Sequence, residues 1–249
     1  MNLTVDYKNI LKMEERIICL QNDEKPARLH VFSAGEGAKT AIVMCPGGGF
    51  RQVAMEHEGR DFAPWFNERR VTFAVLEYRM PEGNGNLPLE DVRAAIKAMR
   101  TEGYERVGIM GASIGGYIAG SGAVFLDGAE RPDFQILLYP VVSMLDSLTH
   151  LPSRERMLGT VVSEEEQQRR SLELHVDGET PCAFIVLTAD DQAVSPVNSL
   201  RYYEALLKHN VPATLHVYPA GGHSFGFRDT FAYKALWLSE LDKFLSELA

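Results

Sequence analysis

Three side chains far apart in this sequence have the types and the settings to build one nucleophile. Ser113 lies in Gly111-Ala112-Ser113-Ile114-Gly115, after an apolar strand-like run and before a segment of helical periodicity. Glycines on either side let strand and helix backbone approach closely, and the sharp turn between them pushes the hydroxyl outward. The first amides of the following helix are left without intrahelical partners, aimed at whatever the serine attacks. A serine hydroxyl is a poor nucleophile unaided, so this chemistry needs a histidine to take its proton and a carboxylate to orient that histidine. Asp190 and Asp191 stand just past one apolar run, in Thr188-Ala189-Asp190-Asp191-Gln192-Ala193-Val194, and His223 follows the next, in Gly221-Gly222-His223-Ser224. Asp191, closer to the Gln-Ala-Val turn, is the preferred carboxylate, which leaves Asp190 to bond the loop backbone.

A fourth stretch supplies what acyl transfer also requires, donors for a developing oxyanion. Cys45-Pro46-Gly47-Gly48-Gly49-Phe50 ends the third strand-like run, and glycine there lets unshielded backbone reach a substrate. The expected donors are the Ile114 N–H and the N–H of Gly48 or Gly49. Other chemistries fit less well. Two adjacent aspartates cannot readily both face one ion and no further ligand cluster accompanies them, so no metal is expected. The chain has neither Gly-x-Gly-x-x-Gly nor Tyr-x-x-x-Lys, which removes the dinucleotide reading, and no cofactor is expected. Of the other histidines, His30 and His216 fall within strand patterns and His175 and His209 read as surface residues. His57 and His150 sit on loops that border the expected pocket.

These residues need a scaffold that collects strand ends. Runs rich in Val, Ile, Leu and Phe recur at 14–20, 27–33, 40–45, 71–77, 106–110, 134–138, 182–188 and 213–218. From the third onward they alternate with helical patterns at 57–70, 88–102, 115–126, 197–209 and 229–248. That alternation predicts an α/β fold, a mostly parallel sheet of about eight strands with helices on both faces. The first two runs are joined so closely that they predict an antiparallel hairpin at one edge. Residues 1–249 read as a single domain, with 141–181 as a small lid-like insertion, because that connection is far longer than usual. Its Glu164-Glu165-Glu166 run fits the solvated first turn of a helix.

Composition narrows the partners. Lys and Arg total 25 against 34 Asp and Glu, a formal charge of -9, so no nucleic-acid partner is expected. The longest apolar run, Phe134 to Val142, is interrupted by Gln135 and Pro140 and falls short of the roughly 18 residues that span a bilayer. With no leader pattern at Met1 to Lys8, the expectation is a cytoplasmic protein without membrane attachment. Cys19, Cys45 and Cys182 read as buried thiols, neither a disulfide pair nor a zinc site. A homo-oligomer is left open.

Taken together, the sequence resembles the α/β-hydrolase superfamily, and within it the acetyl esterase and acetylxylan esterase-like branch near the hormone-sensitive lipases and dienelactone hydrolases. The likeness rests on Pro46-Gly47-Gly48-Gly49-Phe50, Tyr78-Arg79-Met80-Pro81, Pro88-Leu89-Glu90-Asp91, Gly111-Ala112-Ser113-Ile114-Gly115-Gly116, Arg131-Pro132-Asp133-Phe134, Ala189-Asp190-Asp191, Asn198-Ser199-Leu200 and Gly221-Gly222-His223. It implies a Ser113, Asp191 and His223 triad, no metal, no organic cofactor, and hydrolysis of small carboxylic esters, notably acetyl esters of sugars or xylo-oligosaccharides. The sequence departs from the branch at Pro46, where longer-known esterases have histidine, and at Ile114, where alanine is usual and whose bulk would favour short acyl groups. Tyr78 to Pro81 and Asp91 are expected to be scaffold. Rival readings are an aryl-formamidase-like amidase, a peptidase like the prolyl-oligopeptidase catalytic domain, for which no accessory domain is seen, and a non-catalytic binding descendant.

Overall fold

The structure is a computed structural model and describes residues 14–21 and 24–248. The first thirteen residues, on which the leader reading falls, and part of the link between the first two strands lie outside the described residues. Eight strands form one sheet: β1 (Glu15–Cys19), β2 (Arg28–Phe32), β3 (Thr40–Cys45), β4 (Val71–Glu77), β5 (Arg106–Ala112), β6 (Gln135–Leu138), β7 (Ala183–Thr188) and β8 (Ala213–Tyr218). Their spatial order is β1-β2-β4-β3-β5-β6-β7-β8. β2 runs antiparallel to both β1 and β4, and every other pairing is parallel. The expected edge hairpin and mostly parallel sheet are therefore present.

The parallel strands read as unbroken apolar runs because both of their faces are covered. On one face, α1 (Ala63–Asn67) stacks Phe66 on Phe73 of β4 at 4.8 Å, and α7 (Lys234–Glu247) sets Phe244 against Phe184 of β7 at 5.7 Å. On the other lie α2 (Leu87–Thr101), α3 (Ile114–Phe125) and α6 (Val197–Lys208), where Tyr202 of α6 donates its hydroxyl to Gln135 of β6 at 3.0 Å. α3 is apolar all round and buried along nearly its whole length, as a helix enclosed between sheet and neighbours must be.

Three expectations need correction. The helical pattern at 57–70 becomes a turn, a short 3-10 segment at Arg60–Phe62 and the single-turn α1. The Arg60 amide bonds the Met55 carbonyl five residues back at 2.7 Å, a wider loop than the four-residue spacing of an α-helix, and Pro64 can only begin a helix. Residues 229–233 form turns ahead of α7 in the same way. Cys19 is exposed, because β1 is an edge strand with most of its side chains in water, whereas Cys45 is buried and Cys182 partly so. All three thiols are free.

The connection between β6 and β7 carries α4 (Leu151–Leu158), α5 (Glu164–Arg170) and a 3-10 turn at Leu172–Leu174. Its acidic run does open a helix: Ser163 caps α5 by accepting the Glu166 amide at 3.2 Å. Among the described residues, no helix is long and apolar enough to cross a membrane.

Asp91 is scaffold by its contacts. Wholly buried on α2, it accepts the Arg79 amide at 2.8 Å, the Arg79 guanidinium at 2.7 Å and the Gln21 side chain at 2.9 Å. Removing one member of a buried pair leaves the other uncompensated, at a cost of about 3 kcal/mol or more. Asp91→Ala should therefore lower the free energy of unfolding by about that amount in denaturant titration, and a parent-like midpoint would contradict this.

Candidate active site

The site is assembled at the C-terminal ends of β3, β5, β7 and β8, where loops from a parallel sheet converge. Ser113 follows β5 directly and has φ 56° and ψ -123°, a left-handed conformation that a non-glycine residue adopts only under constraint. The constraint is close packing. A side chain at Gly111 would collide with the Gly115 carbonyl, and one at Gly115 with the carbonyls of Cys45 and Pro46. The turn is locked further by bonds of 3.0 Å from the Ser113 amide to Leu138 carbonyl and from the Val141 amide to Ser113 carbonyl.

The structure brings Ser113, Asp191 and His223 into one line. Ser113 Oγ lies 2.8 Å from His223 Nε2, and His223 Nδ1 lies 2.6 Å from Asp191 Oδ2. The Asp191 side chain is 1% exposed and that of His223 19%, so the carboxylate is enclosed while the imidazole edge is reachable. Asp191 is held by its own loop, its Oδ1 accepting the amides of Ala193 and Val194, both at 2.9 Å. A carboxylate on Nδ1 keeps the proton there and leaves Nε2 as the acceptor facing the serine. Asp190 points elsewhere, accepting the amides of Gly221 at 3.1 Å and Gly222 at 2.8 Å, and so ties down the loop that carries His223.

The glycine loop meets the serine from the β3 side. Gly47 touches the Ser113 side chain so closely that an added Cβ would sit 2.9 Å from it, and the Gly47 amide is committed to Glu58 at 3.0 Å. Tyr78 donates its hydroxyl to Pro46 carbonyl at 3.0 Å, which anchors the start of the loop. Gly48 and Gly49 have φ 124° and 63°, values that favour glycine, and among the described residues their amides have no partner. The Ile114 amide opens α3 and is likewise free, while its side chain is fully enclosed in the core. Arg156, from α4 in the long connection, donates to Gly49 carbonyl at 3.1 Å and so holds that peptide from above.

His57 and His150 both lie at this rim. His57 Nε2 is 3.1 Å from Ser224 Oγ, and His150 Nδ1 is 2.8 Å from Ser153 Oγ on α4. Burial, then the nearby His223 and Arg156, depress the pKa of His150, so it stays neutral around pH 7. His30 is buried between Glu15 and Glu77 in the sheet, and His216 stacks on Phe184, both remote from the serine. Among the described residues, no group of three or more His, Cys, Asp or Glu could hold a metal ion.

Sequence reasoning passed over Glu58, Tyr139 and Ser224. Tyr139, just after β6, sets its ring edge-to-face on His223 at 4.8 Å and donates its hydroxyl to Glu58 at 2.8 Å. Burial, then the Glu58 carboxylate, raise the Tyr139 pKa well above the usual range, so it is a donor at any working pH. Glu58 opens a stretch that reads as a helix start, where an acid is ordinary, and nothing local in the sequence marks it as buried.

With this geometry in view, comparison with known proteins places the chain. The prolyl oligopeptidase family, an α/β-hydrolase family, matches residues 78–249, and the chain belongs to it. The acetylxylan esterase of Xylanibacter ruminicola is 30% identical over 240 residues, covering 91% of this chain and 49% of that protein. Endo-1,4-beta-xylanase B of Butyrivibrio fibrisolvens is 32% identical over 206 residues, covering 74% of this chain and 32% of its own length. The chain thus spans about half of the first relative and a third of the second. The crystal structure of an acetyl ester-xyloside bifunctional hydrolase from Caldicellulosiruptor lactoaceticus superposes with a TM-score of 0.87 at 27% identity, covering 94% of this chain and 96% of that one. The family match begins at Tyr78, so the glycine loop of residues 46–50 lies outside it and inside the longer esterase alignments.

The Asp190 latch gives a pH test. Hydrogen bonds from the Gly222 and Gly221 amides hold its carboxyl below the ordinary range. A lowered folded-state pKa stabilises the fold above the unfolded value, about 3.9 for Asp, and that contribution is lost as pH falls through the folded value. The thermal midpoint of Asp190→Asn should therefore trail the parent's at neutral pH and converge with it below about pH 4. A gap that stays constant with pH would show that the charge does not act this way.

Proposed function

We propose that the chain is a serine hydrolase that cleaves acetyl esters through an acyl-enzyme on Ser113. The observation that carries this reading is the line from Ser113 Oγ through His223 to Asp191, with its 2.8 Å and 2.6 Å contacts. In the proposed reaction, Ser113 Oγ attacks the acetyl carbonyl carbon while its proton passes to His223 Nε2. The carbonyl π electrons move to oxygen, and the Ile114 amide and that of Gly48 or Gly49 stabilise the oxyanion. Collapse of the tetrahedral intermediate breaks the bond to the alcohol, which leaves with the proton from His223. Water, deprotonated by the same imidazole, then attacks the acetyl-serine, and the steps repeat to release acetate and restore Ser113. Asp191, on Nδ1, holds the imidazole in place and stabilises the imidazolium.

An alcohol rich in hydroxyls, such as an acetylated sugar or xylo-oligosaccharide, fits the surroundings. A cavity of about 410 Å³ beside Gly48 is lined by Arg51 and Gln52, and the partly exposed His150 and Arg156 stand beside the same loop. The names of the esterase relative and of the acetyl ester-xyloside hydrolase support the same class. In this reading residues 1–249 act as one α/β-hydrolase domain, and residues 141–181 are the lid, with α4 as the part that touches the catalytic loop. The family match keeps peptide amides as the second reading.

Ser113→Ala should lower turnover of aryl acetates by about 10⁴-fold or more while leaving the thermal midpoint in place. Comparable residual turnover would reject Ser113 as nucleophile. In a substrate panel, acetylated xylo-oligosaccharides and aryl acetates should be hydrolysed well, and longer acyl esters, N-formyl anilides and peptide amides poorly. Preference for a peptide or anilide would replace the esterase reading with an amidase one.

A further inference from the structure

Glu58 is 1% exposed, and its carboxylate is bonded by groups from three segments of the site: the glycine loop, the start of the connection after β6, and the histidine loop. Oε2 accepts the Gly47 amide at 3.0 Å; Oε1 accepts the hydroxyls of Tyr139 at 2.8 Å and Ser224 at 2.6 Å. His57 stands 4.0 Å from Oε1 and bonds Ser224 Oγ, which extends the chain of bonds. Tyr139 in turn accepts the Gly226 amide at 3.0 Å, so its hydroxyl passes the hold on to a second residue beyond His223. The Phe227 amide bonds His57 carbonyl at 2.8 Å, and a side chain at Gly226 would collide with that same carbonyl.

The span of this network is what gives it a role. The glycine loop leaves β3 and the histidine loop leaves β8, four places apart in the sheet. At about 4.8 Å per place, those strands lie roughly 19 Å apart. The two loops must be drawn together over β5, β6 and β7, and the Glu58 carboxylate lies where they meet. A buried anion needs its donors in full, because a lost donor leaves desolvated charge uncompensated. The carboxylate therefore dictates the Gly47 peptide, which precedes the free Gly48 and Gly49 amides, and the Ser224 side chain, which adjoins His223.

We propose that Glu58 is a positioning residue that sets the oxyanion loop and the catalytic histidine relative to each other, acting through Gly47 on one side and through Ser224 and Tyr139 on the other. This rests on the serine hydrolase reading above. Glutamine at this position keeps the volume but replaces one acceptor oxygen with a donor NH2. It cannot satisfy the Gly47 amide and both hydroxyls in their present orientations. The consequence falls on the transition state more than on substrate binding, because the groups displaced are those that meet the oxyanion and the transferred proton.

The test compares parent, Glu58→Gln, Tyr139→Phe and Ser224→Ala by the rate of covalent labelling with a fluorophosphonate, by steady-state kinetics on an aryl acetate, and by thermal midpoint. Labelling needs only an activated serine and an oxyanion site, whatever the natural alcohol. Glu58→Gln should slow both labelling and kcat by about 10²-fold, the scale of one lost oxyanion donor, with KM within a few-fold of the parent's. Tyr139→Phe and Ser224→Ala, which each remove one hydroxyl donor to the carboxylate, should slow both by about 10-fold, and they decide the matter should the glutamine variant not fold. Folded variants that label at the parent rate would overturn the proposal, as would a loss confined to KM. A parent that does not label at all would instead overturn the hydrolase reading and this inference with it.

Discussion

The site depends on one close approach, that of the Gly111-to-Gly115 turn to the end of β3. Glycines at both positions let strand, helix and the Cys45 and Pro46 carbonyls occupy a space that any side chain would fill. From that contact follow the strained backbone of Ser113, the outward hydroxyl, the free Ile114 amide and the nearness of Gly47. Strain of this kind costs about 1–3 kcal/mol and persists only where surrounding packing over-determines it. Here the buried α3 and the bonds from Ser113 to Leu138 and Val141 supply that packing.

Around this turn, charge is used sparingly and in fixed places. Asp191 is enclosed and held by two amides of its own loop, so its position does not depend on the histidine it orients. Asp190 does a different task one residue away, tying two glycine amides of the histidine loop. Glu58 lies across the site from both, between the glycine loop and the residues that follow His223. Three carboxylates thus surround the imidazole loop, and only one bonds the ring.

Much of this was legible in the sequence, because the parallel strands are apolar runs whose ends carry the candidate site residues. All eight strand expectations overlap an observed strand, and Ser113, Asp191 and His223 each stand just past one. The separation of roles between the adjacent aspartates could be read from the turn that follows Asp191. What could not be read depends on contacts between distant segments. The helical pattern at 57–70 was overridden by the wide five-residue turn closed between Met55 and Arg60, which leaves Glu58 under two loops. The exposure of Cys19 follows from its edge strand lacking cover, and the seating of α4 on Gly49 from one guanidinium reaching across 107 positions of sequence. No local pattern encodes either.

The central claim is that Ser113 carries the acyl group during turnover. Acid-quenching the enzyme in the steady state with an aryl acetate, followed by peptide mass spectrometry, tests it most directly. The account predicts a single acetyl group on the peptide containing Ser113, assigned to that side chain. An acetyl group on another residue, or turnover at full rate with Ser113 never modified, would contradict it.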